Sequence, residues 1–223
     1  MRILIFGATG MVGGGVLLEC LEAADVEAVT AVGRTAVPLK HPKLSQVLHA
    51  DLYHVSTIEP QLQPFDACFF CLGVSSAGMS EAAYSRLTYE LTLDIAMVLA
   101  RLNRQMTLVY VSGAGTDSSG QGKSMWARVK GRTENGLQRL PFKAVYLFRP
   151  GVIQPVKGVK SKTRLYQTIY DVLGPVFSLV RKIRPDAVIT TEDIGLAMLE
   201  VARRGASKTI LDTADLKAIV AKL

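Results

Sequence analysis

Gly7, Gly10 and Gly13 follow the apolar run Ile3-Leu4-Ile5-Phe6 and precede Val16-Leu17-Leu18. Read as a buried strand, a glycine turn and a helix start, this is chemistry for a pyrophosphate. Backbone N–H groups and the positive end of a helix dipole point together at an anion. Gly7 permits the tight turn, Gly10 lets phosphates reach the backbone, and Gly13 lets the helix pack close to the sheet. Thr9, Met11 and Val12 complete the turn and the helix start. The spacing is G-x-x-G-x-x-G rather than G-x-G-x-x-G, so the setting between strand and helix carries the reading more than the glycines do.

Three later positions extend the same chemistry. Gly33-Arg34 closes the second apolar run. An NAD-preferring site carries an acid there, to bind the ribose 2′-OH. No acid occupies this stretch. The planar fork of Arg34 suits the oxygens of a 2′-phosphate instead, so NADP(H) is expected in preference to NAD(H). The plainer alternative is a solvated surface arginine. Asp51-Leu52 follows the third run, where a carboxylate can accept a hydrogen bond from an adenine amino group. Cys71-Leu72-Gly73 closes the fourth, where a glycine lets backbone approach a ribose.

Other reactive side chains are placed less tellingly. Cys68 and Cys71 have C-x-x-C spacing, but they lie in an apolar strand-like run, where residues three apart face opposite ways. The third cysteine, Cys20, completes no disulfide framework. His41, His49 and His54 are scattered near loops, away from metal-ligand spacing, and no metal site is expected. The net charge is +7. Much of the basic excess falls late, from Lys157 to Arg184 and at Arg203-Arg204; it forms no aromatic-interleaved basic platform, so nucleic acid is not an expected partner. Cofactor phosphates account for part of that charge.

The chain must supply the elements that hold these residues. Its 223 residues suffice for one domain with a sizeable core, and 49% hydrophobic against 20% charged content argues against disorder. No apolar run approaches the roughly 20 residues that span a bilayer. Gly7, Thr9 and Gly10 interrupt any signal-peptide core, so a cytoplasmic protein is expected. Strands are expected at 2–6, 27–32, 45–49, 66–71, 106–112, 143–148 and 208–211. Helices are expected at 11–23, 80–102, 122–139, 191–203 and 213–222, with Thr190 and Asp193 at capping-box spacing. Alternation of this kind makes a parallel sheet with helices on both faces. The segment 151–187 is less regular, with short helices broken at Gly174-Pro175, and is expected to cap the carboxyl edge of the sheet. Contact of 165–184 with a membrane surface or a protein is the lesser alternative.

Taken together, the motifs resemble the short-chain dehydrogenase/reductase superfamily, specifically its atypical NAD(P)-binding members. The likeness is strongest to small bacterial relatives of the Tat-interacting oxidoreductase-like protein. It is carried by residues 7–13, Val32-Gly33-Arg34, Asp51-Leu52, Phe70-Cys71-Leu72-Gly73, Tyr110-Val111-Ser112, Val129-Lys130-Gly131-Arg132-Thr133-Glu134 and Phe148-Arg149-Pro150-Gly151. The resemblance implies a single-domain α/β Rossmann fold, a doubly wound parallel sheet with the cofactor across its carboxyl ends. It also implies that Pro150 and Gly151 lie near the nicotinamide, with Ser112 as the family's serine and Lys130 as its lysine. The family's tyrosine should stand four residues before that lysine. Trp126 stands there instead. An indole N–H donates a hydrogen bond but is no titrating acid, so the Ser-Tyr-Lys set is incomplete. Packing of the indole and a wall against nicotinamide or ligand are equal alternatives for Trp126, while Tyr84, Tyr89 and Tyr110 are the other phenols to consider.

Two functions stand level on this reading. One is an oxidoreductase acting on a small carbonyl or alcohol. The other is a non-catalytic NADP(H) sensor or regulatory module. A sugar-nucleotide epimerase is a weaker third, because only about 70 residues follow Gly151, little for a nucleotide-sugar domain.

Overall fold

Ile3, Leu4, Ile5 and Phe6 are all fully buried, which a strand achieves when both faces of its sheet are covered. They belong to β1 (Arg2–Phe6). The computed structural model describes residues 1–157 and 188–223. After β1 come α1 (Met11–Glu22), β2 (Ala28–Gly33), β3 (Leu44–Leu48), a 3-10 helix (Leu52–Gln61) and β4 (Ala67–Phe70). Then follow α2 (Glu81–Ser85), a π-helical turn (Arg86–Glu90), α3 (Leu91–Leu102), β5 (Thr107–Val111) and α4 (Met125–Leu137). The last described elements are β6 (Ala144–Arg149), β7 (Val152–Gln154), β8 (Val188–Thr190), α5 (Thr191–Arg204), β9 (Ile210–Asp212) and α6 (Thr213–Val220).

Seven strands form one parallel sheet in the order β3-β2-β1-β4-β5-β6-β9. The winding reverses between β1 and β4, and a ligand crevice opens at such a reversal, beyond the carboxyl ends of the strands. β7 and β8 pair separately, with Val152 opposite Val188. Alternate side chains of β1 divide the core. Ile3 and Ile5 pack with Val16, Leu17 and Cys20 of α1 and with Ile194, Ala197 and Met198 of α5. Leu4 and Phe6 pack with Leu52 and Val55 of the 3-10 helix and with Ile95 and Leu99 of α3. This is the single-domain, doubly wound Rossmann architecture.

Helices α1 and α5 approach closely because small residues face each other. A Cβ at Gly15 would lie 2.5 Å from Thr191 Cβ, and one at Gly195 would lie 2.6 Å from Glu19 Cγ and 3.2 Å from Val16 Cα. Lys157 ties the exit of β7 to this pair, with Nζ 2.7 Å from Glu19, 2.9 Å from Glu22 and 3.2 Å from Glu192. The expected capping box is present: Thr190 Oγ1 accepts from Asp193 N at 3.0 Å, and Asp193 Oδ2 accepts from Thr190 N at 3.0 Å.

The seven expected strands agree with the structure to within a residue or two, while β7 and β8 were not expected. The helix expected over 80–102 is a composite of α2, the π-helical turn and α3. The helix expected from 122 begins at Met125, because the Asp117 carboxylate, which accepts from Gly122 N, and the positive φ of Gly120 hold the preceding chain as a loop. The 3-10 helix was not expected. Asp51 caps it by accepting from Tyr53 N at 3.0 Å, and Pro60 lies within it. Of the cap expected over 151–187, residues 152–154 form β7. The remainder from 158, including the 165–184 contact segment, lies outside the described residues.

Candidate cofactor and ligand clefts

The turn after β1 is set by backbone crowding. Gly7 has φ +86°, and a Cβ there would lie 2.7 Å from the backbone of Cys71 and Leu72, so only glycine fits without strain. A Cβ at Gly13 would lie 2.2 Å from the Gly7 carbonyl oxygen. Gly10 differs. Its N–H donates to Gly7 O at 2.9 Å, and a Cβ there would meet only that oxygen, at 3.3 Å. Gly10 is the N-cap of α1 and offers no side chain to the helix end, whose first turn carries no acid. The leading N–H groups of a helix have no intrahelical partner, so this end is free to hold an anion.

Around the turn runs a cleft of 520 Å³ along the carboxyl ends of β1, β2, β4 and β5. It gathers Gly7, Thr9, Gly10, Met11, Val12, Gly33, Arg34, Leu52, Cys71, Leu72, Gly73, Ser112 and Lys130. Gly13 stands behind the turn and fixes the approach of α1. Arg34 is exposed at one end, with no hydrogen-bond or ion-pair partner among the described residues. Next to it a recess of 100 Å³ is lined by Arg34, Asp51, Leu52, Tyr53, Leu72 and Val74, among others. Asp51 therefore lies beside the main cleft rather than in it. The bond from Tyr53 N, followed by the 2.8 Å contact to His54 Nδ1, holds its carboxyl below the usual range. Gln46, which the sequence reading passed over, lines the main cleft and clamps the loop after Arg34: its Oε1 accepts from Val37 N at 2.8 Å, and its Nε2 donates to Val37 O at 3.1 Å.

At the other end, Lys130 reaches in from α4. Its Nζ is 3.4 Å from Val111 O and 5.4 Å from the centre of the Tyr110 ring. Burial pushes the ammonium down to about 8, opposed by the Glu134 charge. Ser112 is buried, and its Oγ pairs with Thr116 Oγ1 at 2.9 Å. A second cleft, of 550 Å³, is lined by Ser112, Gly113, Ala114, Pro150, Gly151, Val152, Ile153 and Thr213. Ser112 and Ile153 are common to both clefts. Pro150 and Gly151 thus stand beside the second cleft, next to the end of the first. Ile153 and Thr213 were not singled out from the sequence. Their signal was positional: Thr213 directly follows β9, and Ile153 lies in β7 just past the end of β6, at the carboxyl edge where ligands gather.

For Trp126 the described residues favour packing, one of the two alternatives that its sequence position left open. It lines neither cleft. Its ring lies against the loop after Ser112, where a Cβ at Gly115 would be 3.5 Å from Cη2 and one at Gly113 would be 3.9 Å from Cζ3. A large indole finds its packing on a glycine surface here rather than in the place of a proton donor. Tyr84, Tyr89 and Tyr110 do not line the clefts either. Tyr110 is buried between β5 and its neighbours, and burial raises its hydroxyl well above the ordinary range. Cys68 belongs to one core face and Cys71 packs against the other, as expected of neighbouring strand positions three apart.

No family model matches the chain. Among curated proteins, the mitochondrial protein Fmp52-2 of Aspergillus terreus is 25% identical over 205 residues, 89% of this chain and 85% of that protein. Rat HTATIP2 is 27% identical over 153 residues, 68% of this chain and 62% of that protein. The chain is thus similar in sequence to HTATIP2 and to the Fmp52 proteins. It spans just under two-thirds of some of these, 65% of Fmp52 from Meyerozyma guilliermondii for example. Among solved structures, Bordetella bronchiseptica WbmH in complex with NAD+ superposes with a TM-score of 0.68 at 16% identity, over 95% of this chain and 74% of that one. Helicobacter pylori ADP-L-glycero-D-manno-heptose-6-epimerase gives 0.69 at 15% identity, over 99% and 80%. At such identities these structures show a shared fold, that of NAD-binding Rossmann proteins. The relatives also overturn the expected cytoplasmic location: Fmp52 proteins from several fungi are named as mitochondrial.

Proposed function

We propose that the chain binds NADP(H) in preference to NAD(H) and presents its nicotinamide to a small carbonyl or alcohol, as an oxidoreductase. The observation that carries this reading is the meeting of two clefts at Ser112 and Ile153. One has the glycine turn for a pyrophosphate, and the other is open for a second molecule. In this reading Arg34 pairs with the 2′-phosphate and Asp51 faces the adenine. Leu72 and Gly73 flank a ribose, Lys130 holds the nicotinamide ribose, and Ser112 stands where the nicotinamide end meets the second cleft. NADP(H), when bound, supplies or accepts the hydride.

Titration with NADPH and NADH by calorimetry tests the preference. Wild type is expected to bind NADPH more tightly, and Arg34→Ala to lose about 1.5–3 kcal/mol of NADPH binding while NADH binding barely changes. Equal binding of both cofactors by wild type would remove Arg34 from the site. Lys130 adds a pH dependence. Its ammonium is charged below about 8 and neutral above, so affinity for the anionic cofactor should fall as pH rises through that value. We expect NADPH to bind about 10-fold more weakly at alkaline pH than at neutral pH, as for one charge-assisted hydrogen bond. The slope should vanish in Lys130→Met. A slope unchanged in that variant would place the titrating group elsewhere.

A specific observation favours the second reading, a non-catalytic NADP(H) sensor. Among the described residues no tyrosine hydroxyl lines either cleft, so these residues offer a carbonyl reduction no phenolic acid. NADPH consumption with a panel of aldehydes and ketones separates the two. Turnover that disappears in Ser112→Ala supports the enzyme. Cofactor binding without turnover across the panel supports the sensor.

A further inference from the structure

The second cleft carries no ionisable side chain among the described residues. Its lining is backbone, small apolar groups, Ile153 and two hydroxyls, those of Ser112 and Thr213. A charged ligand entering such a wall would lose hydration without gaining a counter-ion from these residues. The two hydroxyls are not equivalent. Thr116 Oγ1 donates its one proton to Gly113 O at 2.8 Å, so the Ser112–Thr116 contact at 2.9 Å takes the proton of Ser112. Ser112 Oγ then meets a ligand with lone pairs. Thr213 is placed the other way round. Its Oγ1 accepts from Gly151 N at 2.8 Å, which leaves its proton unspent among the described residues. Thr213 is buried and stands at the start of α6, directly after the Asp212 cap.

We propose that this cleft takes an uncharged carbonyl compound, whose oxygen accepts a hydrogen bond from the Thr213 hydroxyl. Thr213 is thereby a positioning and specificity residue, distinct from the serine beside the cofactor. The carbonyl class rests on the oxidoreductase reading above. The demand for neutrality rests on the lining that the described residues give the cleft.

Three probes test it by saturation-transfer NMR, each with and without saturating NADPH: acetophenone, its carboxylate counterpart 4-acetylbenzoate, and UDP-glucose. Acetophenone is expected to bind, with 4-acetylbenzoate about 10-fold weaker or more and UDP-glucose unable to displace it. Thr213→Val should weaken acetophenone about 10-fold, the size of one hydrogen bond, and Thr213→Ser should restore it. Because Thr213→Val also strands the Gly151 N–H, its NADPH affinity is measured alongside. If that affinity falls as well, the serine variant and the probe series decide. The proposal is overturned if the carboxylate binds as well as the ketone, if UDP-glucose binds more tightly than either, or if the ketone binds neither form. It is equally overturned if both threonine variants match wild type. Ketone binding in a protein that takes no NADPH would sink the cofactor reading and leave this one standing.

Discussion

Gly10→Val should abolish cofactor binding in a protein that still folds. The position is the N-cap of α1, and its added side chain would meet only the Gly7 carbonyl oxygen, at 3.3 Å, before entering the space in front of the helix end. That is the space a pyrophosphate would fill. Loss of two hydrogen bonds to charged phosphate oxygens, at about 1.5–3 kcal/mol each, weakens binding by about 3–6 kcal/mol, or 10²–10⁴-fold. Calorimetry with NADPH reads the loss, and circular dichroism with thermal melting reads the fold. Gly13→Ala is the contrasting control. Its methyl would lie 2.2 Å from Gly7 O, so fold and binding should fail together. A Gly10→Val protein that binds NADPH as wild type does would take the glycine turn out of the site.

Arg149→Met is expected to cost about 3–5 kcal/mol of stability, because it strands a buried carboxylate. Glu134 of α4 is 1% exposed. Arg149 ends β6 and grips it with both arms of the guanidinium, Nε 3.0 Å from Oε1 and Nη2 on Oε2. The pair sits directly before Pro150 and Gly151, so it also aims the turn that borders the second cleft. In a chain of this size the melting temperature should fall by about 6–20 °C. The double variant Arg149→Met/Glu134→Leu should recover much of this, since removing both charges removes the desolvation cost along with the bond. A single variant that melts as wild type does would show the pair to be solvated, contrary to its burial here.

The fold was legible because a parallel sheet buried on both faces writes its strands as short, continuous apolar runs. Ile3–Phe6 and the run through Cys68–Phe70 need no partner to be recognised. The 3-10 helix over 52–61 escaped notice because its apolar residues, Leu52, Val55 and Ile58, are three apart over too short a stretch to set a helical period. In the site, the glycine turn and Arg34 were readable from local spacing. Thr213 and Ile153 were not, since they reach the second cleft only through the pairing of β6 with β9 and of β7 with β8. The choice between packing and a site wall for Trp126 stayed open for a related reason. Helical spacing put it one turn from Lys130, but which side of α4 met the cleft depended on the loop from Gly113 to Gly115.

The close seating of α5 on α1 has a consequence during synthesis. Gly15 and Gly195 lie in one helix crossing, yet the ribosome makes them about 180 residues apart, a delay of about 9–36 s at usual elongation rates. Throughout that interval β1 and β2 can form, but the sheet face carrying Ile3, Ile5 and Val29 has no α5 to cover it. The nascent chain therefore emerges with a sticky half-layer, a natural target for a chaperone. Its folding completes only when α5, from Thr191 onward, arrives.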